Sequence, residues 1–261
     1  MARPHSKTQN KRSHHRRPQP KRPDGIWIYG RHPVEAALAN PKRDIARLVA
    51  TDEAARHLNA LLSNHRPALS PEIVDRQQLD RMVERGAVHQ GLAIQVAELP
   101  NLALDQAVAA TDLVVVLDQV ADPHNVGAIL RSAAAFGAAA VIMQDRHSPS
   151  ATGTLAKSAS GSLEWVSLVR VTNLARSLDE LKDLGFWIAG LDGEAPQELG
   201  KIPLQSPLAL ALGAEGSGLR RLTREACDTL VHIPSARDGL SLNVSNAAAV
   251  ALFEARRAIS G

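Results

Sequence analysis

Apolar runs alternate with helical patterns through the second half of the chain, and this alternation predicts an α/β fold. The run from Leu113 to Asp118 is typical of a strand buried on both faces of a parallel sheet. Further strands are predicted at 139–143, 165–171, 186–191, 208–212 and 230–233, with helical patterns between them and a last helix over 243–258. A doubly wound parallel sheet is the expected architecture of this region.

A shorter region before it, residues 25–98, shows the same alternation on a smaller scale. Strands are predicted at 45–51, 71–74 and 89–96, and Asp52 is the expected N-cap of a helix over 53–64, with another helix over 76–84. This pattern predicts a small α/β domain over 25–98. Residues 99–110, with Pro100 and Asn101, form the expected linker to a large domain over 111–261.

Positive charge is concentrated in the first 24 residues, which hold eight Lys or Arg and one acid, Asp24. This segment carries +7 while the whole chain carries +3, so residues 25–261 sum to −4. Because the segment has almost no apolar residues, it is predicted to be a disordered tail suited to phosphate backbones. A solvated leader that only aids solubility is the alternative.

Cys227 is the only cysteine of the chain, which excludes an intrachain disulfide and a cysteine-rich zinc cluster. A reduced, cytoplasmic setting is therefore expected. The chain has no apolar run of about 18 residues and no signal-peptide pattern, so neither membrane insertion nor secretion is predicted. His89 and His124 have no second ligand at a metal-binding spacing, and no metal site is predicted.

Two loops near the C-terminus have the composition of a ligand pocket. The apolar run 208–212 enters a turn with glycines at 213, 216 and 218, where backbone can approach a ligand closely. The strand 230–233 leads into a loop that carries Ser241, Asn243, Ser245 and Asn246 before the last helix. The glycine spacing is not that of a dinucleotide fingerprint, and no P-loop or nucleophile elbow occurs.

Four polar residues at the ends of predicted elements are the candidate reactive groups. They are Asn125, Arg131, Glu215 and Asn243, and in parallel sheets ligands bind where such loops leave the strands. Each has a plainer interpretation: a helix cap for Asn125 and Asn243, a surface ion pair for Arg131, and an exposed turn residue for Glu215.

Three segments, in this order, carry a resemblance to a known family. They are Asp122–Arg131, Leu212–Leu219, and Ile233-Pro234 together with Ser241–Ser245. The chain resembles the SpoU (TrmH-type) RNA 2′-O-ribose methyltransferases over about residues 25–261. The leading region, with His89-Gln90-Gly91, is similar to that of bacterial members that methylate a guanosine ribose in large-subunit ribosomal RNA.

The resemblance implies a SPOUT-class parallel α/β sheet with a C-terminal trefoil knot, preceded by a small RNA-binding α/β domain. It implies S-adenosylmethionine as methyl donor, RNA as substrate and a homodimer. The donor pocket would be lined by Gly213, Ile233 and Leu242, with Leu191 and Gly193 as weaker candidates. Asn125, Arg131, Glu215 and Asn243 would form the acceptor side.

The implied reaction is an in-line displacement by a ribose 2′ oxygen, in which positioning supplies much of the rate. The family assigns proton removal to the arginine at Arg131, but a guanidinium with a pKa above about 12 is a poor base. Hydrogen bonding from Arg131 to a phosphate or to the developing alkoxide is the other account. Further RNA contacts are expected from the charged side chains of Arg31, Arg76, Arg146 and Lys157. Charge contacts are favoured over base stacking on Trp27 or Tyr29, because aromatic residues make up only 3% of the chain.

Two other functions remain open from the sequence. One is a transfer-RNA ribose methylase or a ribosomal RNA methylase that confers antibiotic resistance. The other is an RNA-binding assembly factor that keeps the fold without turnover, although such a binder would not need all four acceptor-side residues.

Overall fold

The computed structural model describes residues 25–146, 153–236 and 241–260. The basic tail predicted at residues 1–24 lies outside the described residues. Strands in the described ranges form two sheets, one of four strands and one of seven. None of the helices in these ranges has the length and apolar character needed to span a bilayer.

The four-stranded sheet and its helices form the N-terminal unit, residues 25–96. Its strand order is β1-β4-β2-β3, with β4 antiparallel to both β1 and β2. The strands are β1 (Ile26–Tyr29), β2 (Ile45–Ala50), β3 (Glu72–Ile73) and β4 (Leu92–Val96). The helices are α1 (Arg31–Ala39), α2 (Asp52–His65) and α3 (Arg76–Asp80).

Local polar contacts set the helix starts and the turn before β4. The N-cap of α2 is Thr51, whose side chain accepts from the Ala54 amide, so the prediction of Asp52 as N-cap was wrong by one residue. Before β4, Gln90 and Gly91 both have positive φ, and the Leu92 amide donates to His89 O at 3.0 Å. This tight turn holds the Gln90 side chain out of the sheet.

The seven-stranded sheet is the core of the C-terminal unit, residues 104–260, and all of its strand pairs are parallel. The order is β7-β6-β5-β10-β8-β11-β9. The strands are β5 (Leu113–Asp118), β6 (Ala140–Gln144), β7 (Ser167–Val171), β8 (Trp187–Leu191), β9 (Gln197–Glu198), β10 (Leu208–Gly213) and β11 (Thr229–His232). The prediction of a parallel α/β sheet is confirmed.

Helices cover both faces of this sheet, because its central strands are apolar on both sides. They are α4 (Leu104–Val108), α5 (Pro123–Ala135), α6 (Gly153–Ala159), α7 (Leu174–Asp183), α8 (Arg221–Ala226) and α9 (Val244–Ser260), with a 3₁₀ turn at Ser162–Glu164. All six residues of β5 are buried. Within the expected linker 99–110, α4 packs Leu104 and Val108 against the sheet.

Candidate active site

A cleft of about 1130 Å³ opens at the carboxyl ends of β8, β10 and β11. This is the edge at which parallel α/β sheets bind ligands. All five residues expected in a donor pocket line the cleft: Leu191, Gly193, Gly213, Ile233 and Leu242. The glycine turn and the loop before α9 therefore converge, as the sequence predicts.

The glycine turn folds back on itself so closely that Gly213 has no space for a side chain. A Cβ atom there would lie 2.0 Å from the carbonyl carbon of Gly218 and 2.3 Å from the amide nitrogen of Leu219. The Gly218 amide donates to Ala214 O at 2.9 Å and closes the turn. Backbone groups, rather than side chains, thus form this wall of the cleft.

Three of the four candidate reactive residues meet in one cluster beside the cleft. Asn125 Nδ2 donates to Glu215 Oε1 at 3.3 Å, and Asn243 Nδ2 donates to Asn125 Oδ1 at 3.2 Å. Asn243 Nδ2 also donates to the same Glu215 oxygen. Two amides thus hold one carboxylate, and the three elements that carry them are far apart in sequence.

The plainer interpretation fails for Asn125 and holds in part for Glu215 and Asn243. The N-cap of α5 is Asp122, which accepts from the His124 amide at 2.9 Å, so Asn125 is not the cap. Glu215 is an exposed turn residue, as the plainer interpretation has it, and its carboxylate is also bound by the two amides. Asn243 does both tasks, because its Oδ1 accepts from the Ser245 amide at 2.9 Å while its Nδ2 binds the cluster.

Arg131 does not join this cluster within one chain. It lies six residues after Asn125 on α5, which places it about 240° around the helix at 3.6 residues per turn. Its side chain is exposed and makes no hydrogen bond or ion pair with the residues that the structure describes. The surface ion pair considered for Arg131 is therefore not seen in the described ranges.

Asp192, which sequence reasoning missed, lies in the wall of the cleft directly after β8. Its side chain is only 10% exposed, and Oδ1 accepts from the Glu194 amide at 3.0 Å. Oδ2 is buried without a directed hydrogen bond from the described residues, although Arg224 Nη1 lies 2.9 Å away as an ion-pair partner. Because this oxygen has almost no accessible surface, its pairing with Arg224 fixes the wall of the cleft rather than contacting a ligand. In the sequence, the signal for Asp192 is an acidic residue at the carboxyl end of an apolar strand.

Two other titratable side chains, His89 and Cys227, are accounted for by structural contacts. His89 is buried, with Nε2 3.0 Å from Asp80 Oδ1 and Nδ1 accepting from the Gly91 amide. Burial raises the pKa of the Cys227 thiol to about 12, which makes it a poor nucleophile at neutral pH. In the part of the chain that the structure describes, no group of three or more His, Cys, Asp or Glu is arranged to hold a metal ion.

Comparison with protein families gives two matches that together span most of the chain. The model of the SpoU rRNA methylase family matches residues 112–253. A second model, described as RNA 2′-O ribose methyltransferase substrate binding, matches residues 27–102. The chain belongs to the SpoU rRNA methylase family.

Relatives of this SpoU methylase match it over nearly their whole length. The 23S rRNA (guanosine-2′-O-)-methyltransferase RlmB of Vibrio cholerae is 45% identical over 243 residues, covering 88% of this chain and 96% of that protein. The RlmB of Shewanella oneidensis is 43% identical over 237 residues, with 88% and 96% covered.

Among solved structures, the SpoU methyltransferase AviRb from Streptomyces viridochromogenes in complex with AdoMet has a TM-score of 0.76. It is 26% identical, and the match covers 91% of each chain. The TrmH/SpoU tRNA modifying enzyme of A. aeolicus is 30% identical with a TM-score of 0.51, and its match covers 57% of this chain. The SpoU methylase described here thus resembles AviRb over a larger part of its length.

Proposed function

We propose that this SpoU methylase transfers a methyl group from S-adenosylmethionine to the ribose 2′-hydroxyl of a guanosine in 23S rRNA. The observation that carries the proposal is the meeting of Asn125, Glu215 and Asn243 at the edge of the cleft. The RlmB relatives support the RNA and nucleoside named, since they align over 88% of the chain.

The cleft residues fit an adenosylated sulfonium donor. Bound there, S-adenosylmethionine supplies a methyl carbon activated by the positive sulfur. The backbone around Gly213, Ile233 and Leu242 offers hydrogen-bonding groups in an open cleft. Leu191 and Gly193 lie at the end of β8, between the strands β10 and β11 that lead to Gly213 and Ile233. Asp192, whose buried Oδ2 lies 2.9 Å from Arg224 Nη1, fixes the wall of this cleft.

The polar cluster orients the ribose, whose 2′ hydroxyl loses its proton in the reaction. The 2′ oxygen forms the new C–O bond as the C–S bond breaks, the electron pair goes to sulfur, and the hydroxyl proton goes to water. Glu215, fixed by Asn125 and Asn243, offers its second carboxylate oxygen to the acceptor ribose. Because a guanidinium is a poor base, Arg131 binds a neighbouring phosphate or the developing alkoxide.

The active form is a homodimer in the cytoplasm, in which Arg131 comes from the other subunit. Two features of the neighbouring helices α5 and α9 support this arrangement. Arg131 is exposed on α5, and the adjacent helix α9 exposes the apolar side chains of Val250 (43%) and Phe253 (56%). The ring of Phe253 packs edge-on against Phe136 at the end of α5, so this apolar surface continues between the two helices.

Each of the two sheets belongs to a domain with its own function. Residues 25–98 form the RNA-binding domain, 99–110 the linker, and 111–261 a methyltransferase domain whose C-terminal segment is threaded as a trefoil knot. In the N-terminal unit, Arg31, Arg56 and Arg76 line a cavity of about 890 Å³ beside the first turn of α2. Asp52, Glu53 and Asp75 line the same cavity, so its arginines are balanced by as many acids. The support for RNA binding by this unit is the substrate-binding family match over residues 27–102. Arg146 is exposed after β6, and Lys157 lies near this cavity, 3.4 Å from Gln90.

The test is to map ribose methylation in ribosomal RNA from cells that lack the protein. One missing mark on a 23S guanosine is expected, and the purified protein with labelled donor should restore it. The Glu215→Ala protein should bind this RNA without restoring the mark. An unchanged methylation map would refute the proposal, and RNA binding without turnover by the parent protein would favour an assembly factor.

A further inference from the structure

One segment of the C-terminal unit, residues 153–164, is built into the N-terminal unit. The segment comprises α6 and the 3₁₀ turn, and we call its contact with the N-terminal unit the seam. Ala156 belongs to the hydrophobic core of the N-terminal unit, and Leu163 packs against the cores of both units. Gly161, with φ +90°, lies so close to α1 that a Cβ atom would be 2.6 Å from the Cβ of Ala36.

A buried ion pair lies across the seam. Arg43 Nη2 donates to Glu164 Oε1 at 2.5 Å and its Nε donates to Oε2 at 3.2 Å, and both side chains are only 2% exposed. Asn40 Nδ2 donates to the same carboxylate at 2.7 Å, and Arg43 Nη1 donates to Ala97 O at 2.9 Å. The fork of a guanidinium on a carboxylate fixes distance and angle together.

Further polar contacts lie along the seam. Thr154 Oγ1 donates to Glu84 Oε2 at 2.6 Å, and the Tyr29 hydroxyl donates to the same oxygen at 3.2 Å. Lys157 Nζ donates to Gln90 Oε1 at 3.4 Å. The tight turn that holds Gln90 outward thus serves the contact between the two units.

The opposite side of the same segment packs on α5, the helix that carries Asn125. A Cβ atom on Gly127 would lie 2.3 Å from the Cβ of Ser158, so α5 and α6 are in close contact. Ser158 Oγ lies 3.2 Å from Nδ1 of His124, the residue before Asn125. Segment 153–164 therefore connects the N-terminal unit by direct contacts to the helix at the active site.

We propose that the Arg43–Glu164 pair is a positioning device, which sets the N-terminal unit at one angle so that bound RNA presents its ribose to the cleft. The inference rests on the proposed function. Buried ion pairs contribute little net stability, but removal of one partner leaves an unpaired buried charge. With the pair broken, the N-terminal unit still binds RNA, but fewer complexes hold the ribose in line with the donor.

The test compares two Glu→Gln variants of forked Arg–Glu pairs. Glu164→Gln breaks the buried pair at the seam. Glu72→Gln is the matched control, because Glu72 pairs with Arg47 in the same forked way but lies on the exposed edge of the N-terminal unit alone. Spin labels at Asn59→Cys and Asp183→Cys, one exposed site on each unit, report the distance between them. Cys227, half-buried and with its pKa raised to about 12, competes poorly for the label.

For Glu164→Gln we expect a broadened distance distribution and a kcat for 23S rRNA lowered about tenfold, as misplacement of a reacting group does. KM for RNA and Kd for S-adenosylmethionine should stay within about twofold, and the number of donor sites per chain should be unchanged, which excludes a loss of folded protein. Glu72→Gln should behave as the parent protein in every measurement. Should Glu164→Gln fail to fold, Arg43→Lys keeps the buried charge without the fork and should show the same changes.

An unchanged distance distribution in Glu164→Gln would overturn the proposal. So would an unchanged kcat in Glu164→Gln, or an equal loss of kcat in Glu72→Gln. These results are distinct from failure of the proposed function. If the parent protein methylates no ribosomal RNA, the activity proposed above is wrong, while the label distances still decide whether the pair holds the seam.

Discussion

Asn243 Nδ2 lies 3.2 Å from Asn125 Oδ1, although 118 positions separate the two residues in sequence. The same amide group also donates to Glu215, while the Asn243 oxygen caps α9. Asn243 therefore ties the start of the last helix to the reactive cluster, and its two tasks can be separated by substitution.

Asn243→Ser should separate them, because serine caps a helix about as well as asparagine but has no amide to donate. We expect kcat lowered about 100-fold, the effect of losing one positioned donor, with the Tm unchanged. Asn243→Ala should show the same kcat and lose about 1 kcal/mol of unfolding free energy as well. Single-turnover methylation and thermal unfolding measure the two effects. Equal Tm values for the two variants would show that the cap has no importance.

Gly213→Ala should damage both the glycine turn and donor binding. The added methyl group meets Gly218 backbone at 2.0 Å, and such overpacking costs about 1–3 kcal/mol. Gly193→Ala adds its methyl to open space in the same cleft, so its unfolding free energy should change by less than about 0.5 kcal/mol. Calorimetric titration with S-adenosylmethionine should show weaker binding for both. Full donor affinity in Gly213→Ala would contradict the role of this turn.

Arg131→Ala and Asn243→Ser should each have about a hundredth of the parental activity or less alone, and much more when mixed. If Arg131 acts across a twofold interface, each mixed dimer has one intact site and one doubly defective site. Random mixing then restores about a quarter of the parental rate per chain, because half of the dimers are mixed and half of their sites are intact. Unfolding and refolding the two proteins together, then measuring methyl transfer, tests this. No recovery would place Arg131 in the site of its own chain.

The contact of Tyr29 with Glu84 should make the seam sensitive to alkaline pH. Burial first, and then the charge and hydrogen bond of Glu84, raise the Tyr29 pKa above its ordinary value of 10.0. A pKa raised by folding means that the neutral phenol is the form the fold stabilises. Its contribution is therefore complete below pH 10 and is lost as pH rises through the folded pKa. The Tm difference between the parent protein and Tyr29→Phe should shrink above pH 10. A difference independent of pH would contradict this account.

The sequence predicts most of the large sheet, because the alternation of apolar strands and helices is visible over short windows. The run 113–118, for example, is a fully buried strand in the structure. The short strand β9 and the helix α4 were missed, since two or five residues carry too little pattern to distinguish them from loops.

The candidate site was predictable only as a set of residues. In the sequence, Asn125 has the local pattern of a helix cap. Its hydrogen-bond partners, Glu215 and Asn243, come close to it only in the folded chain. Long-range contacts of this kind leave no local pattern. The Arg43–Glu164 pair, 121 residues apart, is the strongest case, because each residue alone has the sequence pattern of an exposed charge.

The intrusion of residues 153–164 into the N-terminal unit has a consequence for protein engineering. A chimaera that joins the first hundred residues of one family member to the catalytic half of another would mismatch both sides of this insert. To transfer the RNA preference of one family member to another, the leading region and the α6 insert must therefore be exchanged together.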